Sequence, residues 1–222
     1  MIDQLKSIGI ERGKPFIVND AMRTILSNAA EEAHAWLEMK YEQAFAAPFF
    51  EGGRWALPVT PEYIASAPKN YNTPDSYPVD SRGLVFSLAF FTAKNLGTGQ
   101  FYLMTIKDKE GQDFDGARAY SLTVPAKAPV TQYWSATIYD RATHTLIRDM
   151  PRAGRSSQSP DLKRNTDGSV DLFFGPGAPE GRESNWIPTK PGGRFEVLFR
   201  FYGPEKALLD KTWKLPDIEE MK

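Results

Sequence analysis

Apolar residues recur at three- and four-residue steps between Met22 and Phe45: Met22, Ile25, Leu26, Ala29, Ala33, Trp36, Leu37, Ala44 and Phe45, with Tyr41 alongside. Glu31, Glu32, Glu38, Lys40 and Glu42 mostly occupy the intervening positions. That spacing predicts an amphipathic helix. Asn19 or Asp20 supplies its start and Pro48 its stop, and neither glycine nor proline interrupts residues 20–47. Residues 48–78 hold six prolines and two glycines, which predicts an ordered loop with one short helical turn over 61–67, capped by Thr60. Leu84, Val85, Phe86, Leu88, Ala89, Phe90 and Phe91 then crowd the stretch 81–94. A run of that kind fits a buried helix or a buried strand. Its length, and Gly97 just beyond it, favour the helix.

From Gln100 onward the period changes to two. Strands are expected over 101–108, 117–124, 130–140, 143–148, 169–174 and 194–202. In the last, Phe195, Val197, Phe199 and Phe201 share one face, while Arg194, Glu196, Arg200 and Tyr202 take the other. Lys109-Glu110-Gly111, Asp115-Gly116, Asp167-Gly168 and Gly175-Pro176-Gly177 supply turns between strands. Short strands spaced by such turns predict a mainly β, α+β fold: a jelly-roll-like antiparallel β-sandwich preceded by an N-terminal helical segment. The expected division is a helical and loop segment over 1–98 that packs on a sandwich domain over 99–222.

Charge and composition narrow the function. The 27 basic and 28 acidic residues leave a net charge of −1, without the basic excess that phosphate neutralisation requires, so no nucleic-acid partner is expected. With 41% apolar residues the chain of 222 residues can build a core. It has no cysteine, so it needs no disulfide and offers no thiolate for catalysis or metal binding. No apolar stretch reaches membrane-spanning length, so no membrane partner is expected. No signal peptide opens the sequence. The expected location is the cytoplasm for the chain as it stands, or the periplasm if it is a piece of an exported protein.

Chemical signatures are sparse. The chain lacks a G-x-S-x-G elbow, a P-loop and a G-x-G-x-x-G turn. Its only histidines are His34, in the long helix, and His144, in a turn-like segment. Asp108, Glu110, Asp113 and Asp115 could ligate calcium, but their spacing departs from the EF-hand, and solvated turns are favoured. No metal ligand is assigned. Arg141, Arg148, Arg152, Arg155, Lys163 and Arg164 could gather an anion, although an exposed loop explains them as well. The segment 130–140 is more informative. Val130, Trp134, Ala136 and Ile138 form an apolar face, opposite Thr131, Tyr133, Ser135, Thr137 and Tyr139. Hydroxyls and rings in a row suit a small polar ligand; an exposed sheet face or an oligomer interface would look the same.

The motif order carries a resemblance. Tyr133-Trp134-Ser135-x-Thr137-x-Tyr139-Asp140 is followed by Asn165-x-Asp167-Gly168-Ser169 and Asn185-Trp186-Ile187-Pro188. Phe195 with Arg200-x-Tyr202-x-Pro204 comes next, then Trp213-x-x-Pro216. This series resembles the bacterial domain of unknown function 1214 family, the C-terminal half of the tandem 1254/1214 proteins. The resemblance implies a jelly-roll-like sandwich and says little about activity. Such proteins often carry the 1254-type domain and an export signal upstream, so the expectation is a short stand-alone member or a piece of a longer chain.

The ligand-binding candidates are Tyr133, Tyr139, Asp140, Asn185, Trp186 and Arg200, with no catalytic residue and no cofactor assigned. Asn185-Trp186-Ile187-Pro188 is also readable as a structural corner, in which Asn185 braces a loop and Trp186 covers the end of the sandwich. Three functions follow in order of preference. The first is a binding or accessory module for a small polar ligand such as a carbohydrate or carboxylate. The second is a hydrolase-type enzyme using Asp140, Asp167 or His144 with a cation or water. The third is an interaction domain that assembles with itself or with an upstream-type domain.

Overall fold

Asn19 starts the long helix as its cap residue. Its side-chain oxygen accepts the Met22 N–H at 2.8 Å and its carbonyl accepts the Arg23 N–H at 2.9 Å. A computed structural model of the chain describes residues 2–66, 80, 83–85 and 99–222. Among the described residues its helices include α1 (Ile2–Ser7), α2 (Asp20–Ala44), α3 (Pro61–Ser66) and α4 (Lys206–Leu209). Most of the helix expected over 81–94 lies outside the described residues; 83–85 are helical.

By its contacts the chain divides into two compact units, 1–42 and 43–222. In the first, α1 ends at Gly9, whose positive φ lets the Ile10 N–H return to the Leu5 carbonyl. Phe16, Ile17 and Ile25 of this unit stay exposed.

The second unit contains two four-stranded sheets. One has the order β1 (Gln100–Thr105), β7 (Phe195–Pro204), β3 (Val130–Asp140), β4 (Gly154–Ser156). The other runs β6 (Trp186–Pro188), β5 (Val170–Gly175), β2 (Tyr120–Val124), β8 (Glu219–Glu220). All pairs are antiparallel except β5–β6. Leu103, Trp134, Ala136, Ile138, Phe199 and Phe201 of the first sheet share one core with Leu122, Leu172 and Phe174 of the second. Phe195 bridges the layers, with its ring 5.6 Å from Tyr120 and 6.3 Å from Phe174. The result is the mainly antiparallel β-sandwich that the period-two pattern predicts.

This second unit begins at Gln43 because the chain after α2 already feeds the core. Phe49, Phe50 and Trp55 pack into it. Ala56 exchanges both backbone hydrogen bonds with Met104 at 2.9 Å, extending the first sheet beyond β1. The C-terminal tail closes over this hairpin: the Trp55 indole N–H donates to the Pro216 carbonyl, and the Arg54 N–H to Asp217, each at 2.8 Å.

The expected strand over 143–148 does not form. His144, inside that stretch, adopts a φ of 52°, and Asp149, just beyond its end, a φ of 63°, a left-handed geometry that an extended strand does not take. Asp140 organises the turn instead. Its side chain accepts the Ala142 and Thr143 N–H groups and the Thr143 hydroxyl. The short β4 then returns alongside β3. Neither β4, β6 nor β8 is evident in the hydrophobic pattern, because two- and three-residue strands carry too few positions to show a period.

Candidate functional site

The first sheet has a second face, turned away from the sandwich core. Alternation places Tyr102 and Met104 of β1 there, with Glu196, Leu198, Arg200 and Tyr202 of β7 and Tyr133, Ser135, Thr137 and Tyr139 of β3. This face is partly closed: Met104, Leu198 and Glu196 are buried although they lie outside the sandwich core. Tyr133, Thr137, Tyr139, Arg200 and Tyr202 are half-buried.

Register brings the polar groups together. Arg200 pairs with Tyr102 on one side and Ser135 on the other, while Tyr202 pairs with Tyr133. The Arg200 guanidinium donates to the Thr137 hydroxyl at 3.1 Å and to the Tyr139 hydroxyl. It lies 5.6 Å from the Tyr102 ring centroid and 5.8 Å from that of Tyr139, within cation–π range. Tyr133 and Tyr202 stack with centroids 4.2 Å apart and planes 15° from parallel. Arg200 thus sits at the centre of a ring of hydroxyls and aromatic faces, and no carboxylate among the described residues forms an ion pair with it.

Burial governs the phenols. It raises the Tyr102 pKa, against a smaller opposing pull from the Arg200 charge. Tyr202 is pushed up to about 12, first by burial and then by a hydrogen bond with Tyr133. Both are therefore neutral hydrogen-bonding groups at physiological pH.

Glu196 lies four residues before Arg200 on the same face, roughly 13 Å along the strand. Its carboxylate oxygens are 3.2 and 3.3 Å from His144 Nδ1. The glutamate is 1% exposed and the histidine side chain 11%. This pair closes the end of the face where β3 runs into its turn.

Of the six residues singled out by sequence, Tyr133, Tyr139 and Arg200 converge here. Asp140 caps the turn after β3. Asn185 and Trp186 lie in the second sheet's neighbourhood. The buried Asn185 amide accepts the Lys163 N–H and donates to the carbonyls of Lys163 and Asp171, all at 2.8 Å. Trp186 donates its indole N–H to the Gly175 carbonyl at 2.9 Å. Sequence reasoning did not single out Tyr102 and Tyr202 for the site. The alternation of β7 already put Tyr202 beside Arg200, but the β1 partner needed the pairing.

The arginine-rich segment disperses. Arg152 donates to the Glu183 carbonyl, Arg155 pairs with Asp161, Lys163 reaches the Gly181 carbonyl, and Arg164 the Ser157 carbonyl. Asp113 pairs with Arg194 at 2.7 Å, and Asp167 holds Ser169 in its turn. No group of three or more His, Cys, Asp or Glu among the described residues could hold a metal ion. No helix among them is long and apolar enough to cross a membrane. A cleft of about 330 Å³ lies apart from the polar face, lined by Phe45, Pro48, Arg54, Ile106 and Lys107 among others.

Residues 99–206 match the model of a family described as "Protein of unknown function (DUF1214)". No curated protein sequence matches the chain. Among solved structures, the crystal structure of the VPA0106 protein from Vibrio parahaemolyticus is similar with a TM-score of 0.52 and 21% identity. That match covers 100% of this chain and 50% of the Vibrio chain, so this chain spans about half the length of that relative. The likeness is one of fold. An uncharacterised protein from Burkholderia cenocepacia gives a TM-score of 0.39 at 14% identity, over 68% of this chain and 45% of the other.

Proposed function

We propose that this chain, whose residues 99–206 belong to the DUF1214 family, is a binding module that holds a small polar ligand on the second face of its first sheet, at Arg200. One observation carries the reading. A half-buried guanidinium is held by the uncharged hydroxyls of Thr137 and Tyr139 and by two tyrosine rings, and no carboxylate among the described residues forms an ion pair with it. Removing a cation from bulk water has a cost, and a structural arginine is normally compensated by an acid. Arg155, whose side chain is 10% exposed, follows that rule with Asp161. Arg200 has no such partner among the described residues.

The hydrolase alternative draws less support. Asp140 and Asp167 each commit one carboxylate oxygen, Oδ1, to backbone and hydroxyl groups of their own turns. The interaction-domain alternative has an observation of its own in Ile17, 85% exposed, with Phe16 and Ile25 also exposed on the N-terminal unit. The occupant proposed for that surface is a second copy of the chain. A molar mass that stays monomeric across a wide concentration range in sedimentation equilibrium would remove it.

The binding reading is tested by calorimetric titration with acetate, benzoate, succinate, glucose, xylose and inorganic phosphate. At least one compound is expected to bind the native chain. The same compound should fail to bind Arg200→Gln, whose fold is checked by circular dichroism. Silence across the panel would overturn the reading, as would binding that Arg200→Gln leaves unchanged.

A further inference from the structure

We infer that the ligand of this face is a small carboxylate, received by the Arg200 guanidinium together with the hydroxyls that surround it; this rests on the binding reading above. The argument is a balance of donors, acceptors and charge.

Arg200 is a donor only, and so planar that it matches the two oxygens of a carboxylate. The hydroxyls of Thr137 and Tyr139 accept from it. A hydroxyl that accepts from a guanidinium keeps its own proton to donate elsewhere. The cluster therefore offers an incoming molecule a positive charge and hydroxyl protons. Burial keeps the nearby Tyr102 and Tyr202 phenols neutral, so no phenolate supplies an internal counter-charge. The nearest carboxylate on this face of β7, Glu196, is the register partner of Tyr139, lies four residues from Arg200 and is engaged with His144.

Three ligand classes respond differently to such a site. A neutral sugar must donate from its own hydroxyls, and no carboxylate among the described residues pairs with Arg200 to receive those protons there. Inorganic phosphate carries between one and two negative charges at neutral pH, more than one cation offsets. A monocarboxylate brings one negative charge and acceptors only, which complements both the charge and the donors. The rings of Tyr102 and Tyr139, 5.6 and 5.8 Å from the half-buried guanidinium, put apolar surface beside it, and a lower local dielectric strengthens attraction to an anion.

Benzoate against its neutral isostere benzamide separates charge recognition from ring stacking in one calorimetric comparison. Benzoate is expected to bind the native chain at least about tenfold more tightly, the difference that a single charge-assisted hydrogen bond supplies. Arg200→Lys keeps the charge but loses the planar fork, and should weaken benzoate by about tenfold. Tyr139→Phe, with the ring retained, should weaken benzoate by a smaller factor. Equal binding of benzoate and benzamide would overturn the carboxylate assignment. So would binding of glucose or phosphate, lost in Arg200→Gln, with no binding of benzoate or acetate; the binding reading itself would then stand. If nothing binds, both fall together.

Discussion

Tyr139 and Arg200 lie on neighbouring antiparallel strands, and the guanidinium of the one donates to the hydroxyl of the other while resting 5.8 Å from its ring centroid. Tyr139→Phe keeps the ring and removes the acceptor. A hydrogen bond to a charged group contributes about 1.5–3 kcal/mol when dry. This one is half-buried, so water can replace part of it, and a loss of about 1 kcal/mol is expected. The measurement is the shift in urea midpoint at unchanged slope; a variant as stable as the native chain would show that the bond contributes nothing to the fold.

Asn185 should be far less tolerant. Its amide satisfies the Lys163 N–H and two carbonyls in a site that is 2% exposed. Asn185→Ala orphans all three, and a cost of about 3 kcal/mol is expected from unpaired buried groups. Asn185→Asp keeps the acceptor for Lys163 but cannot donate to the carbonyls, so it should rescue little at neutral pH. Chemical denaturation of both variants checks the order.

Glycines separate by what surrounds them. A Cβ on Gly116 would sit 2.1 Å from the Lys190 carbonyl oxygen, a backbone atom that cannot step aside. Gly116→Ala is expected to destabilise by at least about 1–3 kcal/mol, as an overpacked core position does. Gly177 has open space around its Cβ direction and no left-handed φ. Gly177→Ala should be neutral or stabilise by up to about 1 kcal/mol through the unfolded chain. Thermal melts of the two, side by side, decide whether the contact is as tight as it stands.

Alkaline pH reads out the tyrosine pair. An unfolded tyrosine ionises near 10, whereas Tyr202 in the folded chain is raised to about 12. Between those values the folded state retains a proton that the unfolded state has released. The contribution is fully present below 10, and stability falls as pH rises through 10 to 12. Ultraviolet absorbance should show a late phenolate step near 12 that disappears in Tyr202→Phe. A titration in which that variant lacks a step near 10 instead would contradict the assignment.

The strands over 130–140 and 194–202 were legible in sequence because a period of two is a local property, and their faces followed from it. Asn185 was legible as a brace only beside a second reading as a ligand contact; its partners at 163 and 171 came from the structure. The arginines of 141–164 show the opposite case. Closeness along the chain suggested one anion site, but the turn and β4 send the side chains to separate carbonyls and to Asp161.

Alternation in sequence determined which residues of β3 and β7 share a face, and therefore that Tyr139 and Arg200 turn away from the core. It left open whether they meet. The strands run antiparallel with a register shift between Val130 and Tyr133. Beside that shift, Gly203 takes a left-handed φ against Thr131. Sliding the pairing by two residues would keep every face and still change the distance between Arg200 and Tyr139, which now faces Glu196. Tertiary structure alone set that register, because it depends on bulge geometry and core packing summed over the whole sheet rather than on any local pattern.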